Sequence, residues 1–139
     1  MTQEEKDLLL KDLCSRIPYG VKFVIDNGQN NVRTLTGIDE AIPYEDWQMC
    51  VFARGISAIP IEDIKPYLFP ISSMTEEQKE ELDNMFNQED NVCEKIKTDN
   101  FDFSFYRKSI FDFLNKHHLD WRGLIPMGLA IDATNLNIY

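Results

Sequence analysis

Two helix-start signals enclose a stretch of strand-like alternation, and this order constrains the fold more than any other feature of the 139-residue chain. Thr2 with Glu5 and Thr75 with Gln78 match the capping box, in which two side chains bond each other's backbone amides. Helix, strands and then helices predict an α+β domain. We expect a small curled antiparallel sheet, of which a partly open barrel is one form, and about three helices. Four runs read as strands: 21–26, 32–38, 47–54 and 57–61.

Turn-forming residues set the predicted boundaries of these elements. The first helix should end near Arg16, since Pro18 disfavours a helical conformation in the residue before it. Asn27 and Gly28 are the best short hairpin signal in the chain, because both residues tolerate positive φ. Proline spacing and periodicity predict three further elements: a single helical turn at 62–65 where the chain leaves the sheet, a third helix at 104–118, and a short final strand at 129–131.

The length fits one domain, 1–139, with a helix and sheet up to about residue 70 and a helical part with the final strand from about 72. The formal net charge is −10, from 24 acids against 14 bases. Because phosphate and anionic lipid attract Lys and Arg, this balance argues against direct binding of nucleic acid or an anionic membrane. Seven acids and one base lie in 75–90, where we interpret the glutamates as a solvated helix face.

Cysteine usage and apolar run length bear on the compartment. Cys14, Cys50 and Cys93 are widely spaced and odd in number, which suits reduced thiols better than a disulfide framework. The first residues lack a basic region followed by an apolar core, and the longest apolar runs are far shorter than a membrane span. The sequence therefore predicts a cytoplasmic protein without a membrane segment.

Residues 117–125 concentrate the side chains that could carry chemistry, including both histidines. We take His118, Asp120, Trp121 and Arg122 as candidate binding residues, and we assign no catalytic residue, metal ligand or cofactor. Adjacent histidines on a helix point about 100° apart, so they cannot share a metal as histidines four residues apart do. One histidine is expected to pack at the helix end, with the other solvated or bonded to a terminal carbonyl.

The local geometry of this segment can also be predicted. We expect Asp120 to cap a new helical turn over 121–125 by accepting bonds from amides near Arg122 or Gly123. Trp121 should pack under the third helix, while Arg122 reaches solvent. Arg122 would then be free to contact a partner, since Trp and Arg are frequent in interface hot spots.

Three pieces of the chain resemble a group of small uncharacterised proteins of gut bacteria and their prophages or other mobile elements. They are LLLKDLC (8–14) leading to PYGV (18–21), IKPYL (64–68) leading to SSMT (72–75), and HHLDWRGLI (117–125). The resemblance implies a bacterial or phage cytoplasmic context. It implies no established function and carries over no catalytic residue.

The sequence favours a protein-binding or regulatory module, because the usual catalytic constellations are missing and the acids concentrate on one segment. One alternative is an enzyme whose site assembles from dispersed residues around His118, Asp120 and Trp121, with a thiol as a further candidate. A second alternative is a phage-type acidic decoy that mimics nucleic acid and blocks a DNA-binding protein. The expected partner is another protein, and the oligomeric state is left open.

Overall fold

The computed structural model describes residues 1–26, 31–86 and 108–139. Within these ranges the chain forms three α-helices and two β-sheets, neither closed into a barrel, so the predicted α+β class is confirmed. The helices are α1 (Gln3–Arg16), α2 (Glu76–Phe86) and α3 (Lys108–Lys116). The strands are β1 (Lys22–Ile25), β2 (Val32–Thr34), β3 (Gly37–Ala41), β4 (Gln48–Phe52), β5 (Ile59–Pro60), β6 (Ile64–Leu68) and β7 (Ile131–Asp132).

The first sheet has the strand order β2-β1-β6-β7, with β7 parallel to β6 and the other pairs antiparallel. The second has the order β3-β4-β5 and is antiparallel throughout. The expected single strand at 32–38 is therefore wrong. Leu35 N donates to Val21 O in the first sheet, and Thr36 N donates to Phe52 O beside the second, each at 2.9 Å. The chain changes sheets between these two neighbouring residues.

A second prediction is wrong, because the chain was expected to leave the sheet at 62–65, whereas β6 begins at Ile64. It lies in the middle of the first sheet although it contains Pro66. Asp26 N donates to Asp63 O, so these two residues form a hydrogen-bonded pair of the antiparallel β1–β6 ladder. Such pairs alternate with pairs that exchange no hydrogen bond, and Phe23–Pro66, three positions along, is one of the latter. The nitrogen of Pro66 thus faces the β7 side, where pairing begins only at Tyr67. The missing N–H therefore costs no ladder bond. The predicted turn at 62–65 is a 3-10 helix at Ile61–Asp63 instead.

Helix α1 begins and ends where the sequence predicts. Thr2 Oγ1 accepts from Glu5 N at 3.1 Å, and Glu5 Oε2 accepts from Thr2 N at 2.9 Å. Leu9 and Leu13 are fully buried on its inner face. The same face also buries two charged side chains, those of Asp12 and Arg16.

Helix α2 also begins with the predicted box, since Thr75 Oγ1 accepts from Gln78 N at 3.1 Å and Gln78 Oε1 accepts from Thr75 N at 3.0 Å. Its glutamates are exposed, as expected for a solvated face: Glu76, Glu77, Glu80 and Glu81. Leu82 is the first apolar residue of the helix, and it is fully buried in a cluster with residues of α3.

The buried apolar residues form two main clusters. One lies between α1 and the two sheets and includes Leu9, Phe23 and Val51. The other lies among α2, α3 and the segment before α2, and includes Leu82, Ile110 and Leu114. A smaller group on the first sheet consists of Val24, Tyr67 and Ala133.

Two of the sequence predictions concern residues outside the described ranges, and a third differs from the structure in its bounds. The Asn27–Gly28 turn lies outside the described residues, as does the start of the third helix predicted at 104. The final strand, predicted at 129–131, begins two residues later and spans Ile131–Asp132. Leu129 and Ala130 are buried before it begins.

Candidate functional site

Helix α3 ends in a Schellman motif that opens the histidine corner, the name used here for residues 117–125. Leu119 N donates to Leu114 O at 2.9 Å, and His118 N donates to Asn115 O at 3.1 Å. His118 therefore occupies the left-handed position with φ 57°, where glycine is usual. This conformation costs free energy in a residue other than glycine, so the contacts of the His118 side chain must compensate that cost.

The two histidines are half-buried and have separate partners. One of them was expected to be solvated or bonded to a terminal carbonyl, but both contact other side chains. His117 packs on Phe113 with ring centroids 4.6 Å apart, and its Nδ1 lies 3.3 Å from Gln78 Nε2. His118 stacks on Tyr139, the last residue, with centroids 3.7 Å apart and planes 13° apart. Burial lowers the pKa of both, that of His118 to about 4, with further lowering by Arg16. Both imidazoles are therefore neutral at pH 7.

The hydroxyl of Tyr139 fixes the chain end to the first sheet. It donates to Tyr67 O at 2.7 Å and accepts from Lys22 N at 2.9 Å. Although 41% of the residue is exposed, the hydroxyl end points inward, and burial raises the pKa of Tyr139 to about 12. The stacked His118 is thus held against a ring that is itself bonded to β1 and β6.

The carboxylate of Asp120 organises the turn that follows. It accepts from Leu124 N and Ile125 N, each at 2.8 Å, rather than from the predicted amides near Arg122 or Gly123. No new helix forms over 121–125, where the chain makes a series of turns around this buried carboxylate. Burial raises the pKa of Asp120, and the two amide bonds oppose that effect.

Arg122 does not reach solvent as expected. Its side chain is only 20% exposed, and its Nε lies 3.3 Å from Oδ1 of Asp12 on α1. The guanidinium carbon lies 4.1 Å from the ring centroid of Trp121. The expectation is wrong because α1 brings the buried carboxylate of Asp12 to the corner, and the guanidinium turns inward to meet it.

Trp121 contacts the third helix, in agreement with its expected packing. Its Nε1 donates to Asn115 Oδ1 at 2.9 Å, and its ring lies 5.1 Å from that of Phe111. The residue is half-buried and borders the second apolar cluster. All four candidate residues are therefore brought to one place, where each makes contacts within the protein.

The sequence did not reveal the ion pair beneath this corner. Asp12 and Arg16 are fully buried, with Arg16 Nε 2.8 Å from Asp12 Oδ2. Arg16 Nη2 also donates to Leu119 O at 2.6 Å. The available signal was an aspartate and an arginine four residues apart on the face that carries Leu9 and Leu13. The imidazole of His118 is neutral, and the carboxylates of Asp12 and Asp120 already have partners within the protein. These contacts hold α1, α3 and the segment around Tyr139 together.

A second surface, which the sequence did not single out, consists of exposed apolar side chains rather than buried polar ones. The loop between β3 and β4, residues 42–47, is called the aromatic loop here. Ile42, Tyr44 and Trp47 are 51%, 72% and 69% exposed. Trp47 was predicted to begin a strand, but β4 starts one residue later, at Gln48, which pairs with Ala41. The tryptophan consequently projects from the loop rather than into a sheet.

A cleft of about 310 Å³ adjoins Trp47. It lies between the first turns of α1, the start of β4 and the segment after β5. Lys6 Nζ and Glu62 Oε2 form an ion pair of 2.7 Å within its lining. Its walls are Gln3, Lys6, Asp7, Leu10, Trp47, Gln48, Met49, Pro60, Ile61 and Glu62.

Comparison of the chain with protein-family models, with curated proteins and with solved structures finds no match. Across the described ranges, no group of three or more His, Cys, Asp or Glu side chains has an arrangement that could hold a metal ion. In the same part of the chain, every helix is too short or too polar to cross a membrane. Cys14 is exposed and Cys50 is buried, both as free thiols.

Proposed function

We propose that this protein is a protein-binding module whose contact surface is the aromatic loop together with the adjoining cleft. The observation that carries the proposal is the exposure of three large apolar side chains, those of Ile42, Tyr44 and Trp47, on one six-residue loop. Single exposed apolar residues are ordinary on a protein surface, but several on one short loop beside a cleft are typical of an interaction site. Tyrosine and tryptophan are also the residues most enriched in interface hot spots.

The histidine corner takes a supporting role in this proposal. His118, Asp120, Trp121 and Arg122 make internal contacts that fix the scaffold carrying the loop. An exposed free thiol at Cys14 suits a reducing compartment, so we place the protein's action in the cytoplasm.

The proposal is tested by paired serine substitutions. Tyr44→Ser with Trp47→Ser removes the loop aromatics, and Met127→Ser with Leu136→Ser removes two other exposed apolar residues, which are 45% and 49% exposed. We expect both variants to melt within a few degrees of the parent, because exposed side chains contribute little to stability.

A partner that co-purifies stoichiometrically with the parent and with the Met127/Leu136 variant should be lost from the Tyr44/Trp47 variant. Retention of that partner by the folded Tyr44/Trp47 variant would show that the loop is not the contact surface.

A further inference from the structure

The segments around the cleft and the aromatic loop carry far more acids than bases. Three segments frame them, 3–11, 37–49 and 59–63, and together they carry nine carboxylates and two lysines. One of the lysines, Lys6, is already paired with Glu62. The framing segments therefore account for a formal charge of −7 out of the −10 of the whole chain.

The loop itself interleaves apolar and acidic side chains. Glu45 and Asp46 lie between Tyr44 and Trp47, and all four residues are exposed. The next acids along the chain, Asp39 and Glu40 on β3, are also exposed, and no lysine or arginine occurs from 34 to 53. A partner that covers the aromatic rings must therefore approach these carboxylates as well.

The lining of the cleft includes apolar side chains from three elements beside its polar ones. Leu10 comes from α1, Met49 from β4 and Ile61 from the segment after β5. Its volume lies at the lower end of the range of small-ligand pockets, roughly 300 Å³ and above. Such a cleft suits an apolar side chain inserted by a partner.

The negative charge of this surface decides which class of partner it can bind. A second copy of this chain would bring its own excess of carboxylates against this surface, which is an unfavourable pairing of like charges. Nucleic acid and anionic lipid are repelled for the same reason. A cationic polypeptide is attracted by the negative charge of this surface, which favours the complex and raises the association rate.

We propose that the partner of the aromatic loop is a positively charged polypeptide segment that inserts an apolar side chain into the cleft beside Trp47. This inference rests on the proposed function and adds the chemistry of the partner. The carboxylates of the loop select the cationic segment, and the rings of Tyr44 and Trp47 cover its apolar residue.

Three synthetic peptides serve as probes of this chemistry. The first is an amphipathic peptide of leucine and lysine, the second has glutamate at every lysine position, and the third has serine at every leucine position. Titration calorimetry should show binding of the first peptide, weakened by added salt. Binding of the glutamate peptide with similar affinity overturns the charge requirement, and equal binding of the serine peptide overturns the apolar one.

A matched pair of variants separates a specific site from general attraction to an acidic protein. Glu45→Gln with Asp46→Asn and Glu80→Gln with Glu81→Gln change the net charge equally, and all four residues are exposed. We expect the loop variant to bind the leucine–lysine peptide about tenfold more weakly, and the α2 variant to lose less than about twofold. Equal losses in the two variants overturn the proposal.

The native partner distinguishes this inference from the function on which it depends. Loss of the partner from the Tyr44/Trp47 variant, with full retention by the Glu45/Asp46 variant at low and high salt, keeps the binding module and refutes the cationic partner. Retention by both variants refutes the binding surface itself. Loss from both, with retention by the Glu80/Glu81 variant, supports the two proposals together.

Discussion

Asp12 and Arg16 form an ion pair in which neither side chain has any solvent exposure, with 2.8 Å between Oδ2 and Nε. The same guanidinium donates to the carbonyl of Leu119, which is 103 residues away along the chain. Arg122 approaches the second oxygen of Asp12 at 3.3 Å. One buried carboxylate therefore serves two arginines and joins the first helix to the histidine corner.

Removing that carboxylate should be strongly destabilising. In Asp12→Ala two guanidinium groups lose their counter-charge, and one of them, Arg16, is fully buried. We expect a loss of about 3–5 kcal/mol in the free energy of unfolding, measured by urea denaturation. Lys6→Ala breaks the exposed pair with Glu62 and is the control, with an expected loss under about 1 kcal/mol. Similar losses in the two variants would contradict the structural role of Asp12.

Asp120 should be required for the turn that it encloses. Asp120→Ala leaves the amides of Leu124 and Ile125 without their acceptor, and Leu124 is fully buried. The expected loss is about 2–3 kcal/mol, because bonds to a charged acceptor are stronger than neutral ones. Asp120→Asn keeps one oxygen acceptor and should lose less. If both variants unfold at the same urea concentration as the parent, the bonds to the carboxylate do not stabilise the turn.

His118 should make the fold weaker in mild acid. Its pKa is about 4 in the folded chain and about 6.5 when unfolded, so between these values only the unfolded state holds the proton. Stability due to this residue is therefore complete above pH 6.5 and is lost as the pH falls towards 4, by roughly 2–3 kcal/mol. His118→Asn tolerates the positive φ and does not titrate. Subtracting its stability curve from that of the parent should reveal this slope, and identical slopes would refute the assignment.

The hydroxyl of Tyr139 should contribute to stability in addition to the stacking of its ring. Tyr139→Phe retains the ring stacked on His118 but removes the bonds to Tyr67 O and Lys22 N. We expect a loss of about 1–2 kcal/mol and a lower melting temperature. Tyr44→Phe, at a residue that is 72% exposed, is the matched control and should melt like the parent. A melting temperature for Tyr139→Phe equal to that of this control would place the hydroxyl outside the stabilising contacts.

Helix α2 should tolerate changes on one face only. Leu82→Ala opens a cavity in the second apolar cluster and should cost about 3 kcal/mol. Glu80→Gln on the exposed face should change the free energy of unfolding by less than about half a kcal/mol. Chemical denaturation of both variants measures the difference, and a large effect of Glu80→Gln would show that this face is not simply solvated.

The sequence by itself determined the features that depend on neighbouring residues. The capping boxes at Thr2 and Thr75 were predictable because their bonds span only three residues. The end of α1 followed from a proline two residues later. The exposed glutamates of α2 followed from the absence of an apolar stripe before Leu82. The α+β class followed from the order of these local signals.

Tertiary structure decided how these elements pair and which side chains become buried. Pro66 is accepted in a central strand only because its nitrogen faces a side where pairing has not yet begun. Arg122 turns inward because α1 supplies Asp12 from the other end of the chain. The exposure of Trp47 depends on where the pairing of β3 with β4 stops. Each of these outcomes rests on pairing or contact between different elements, and local periodicity carries no information about it.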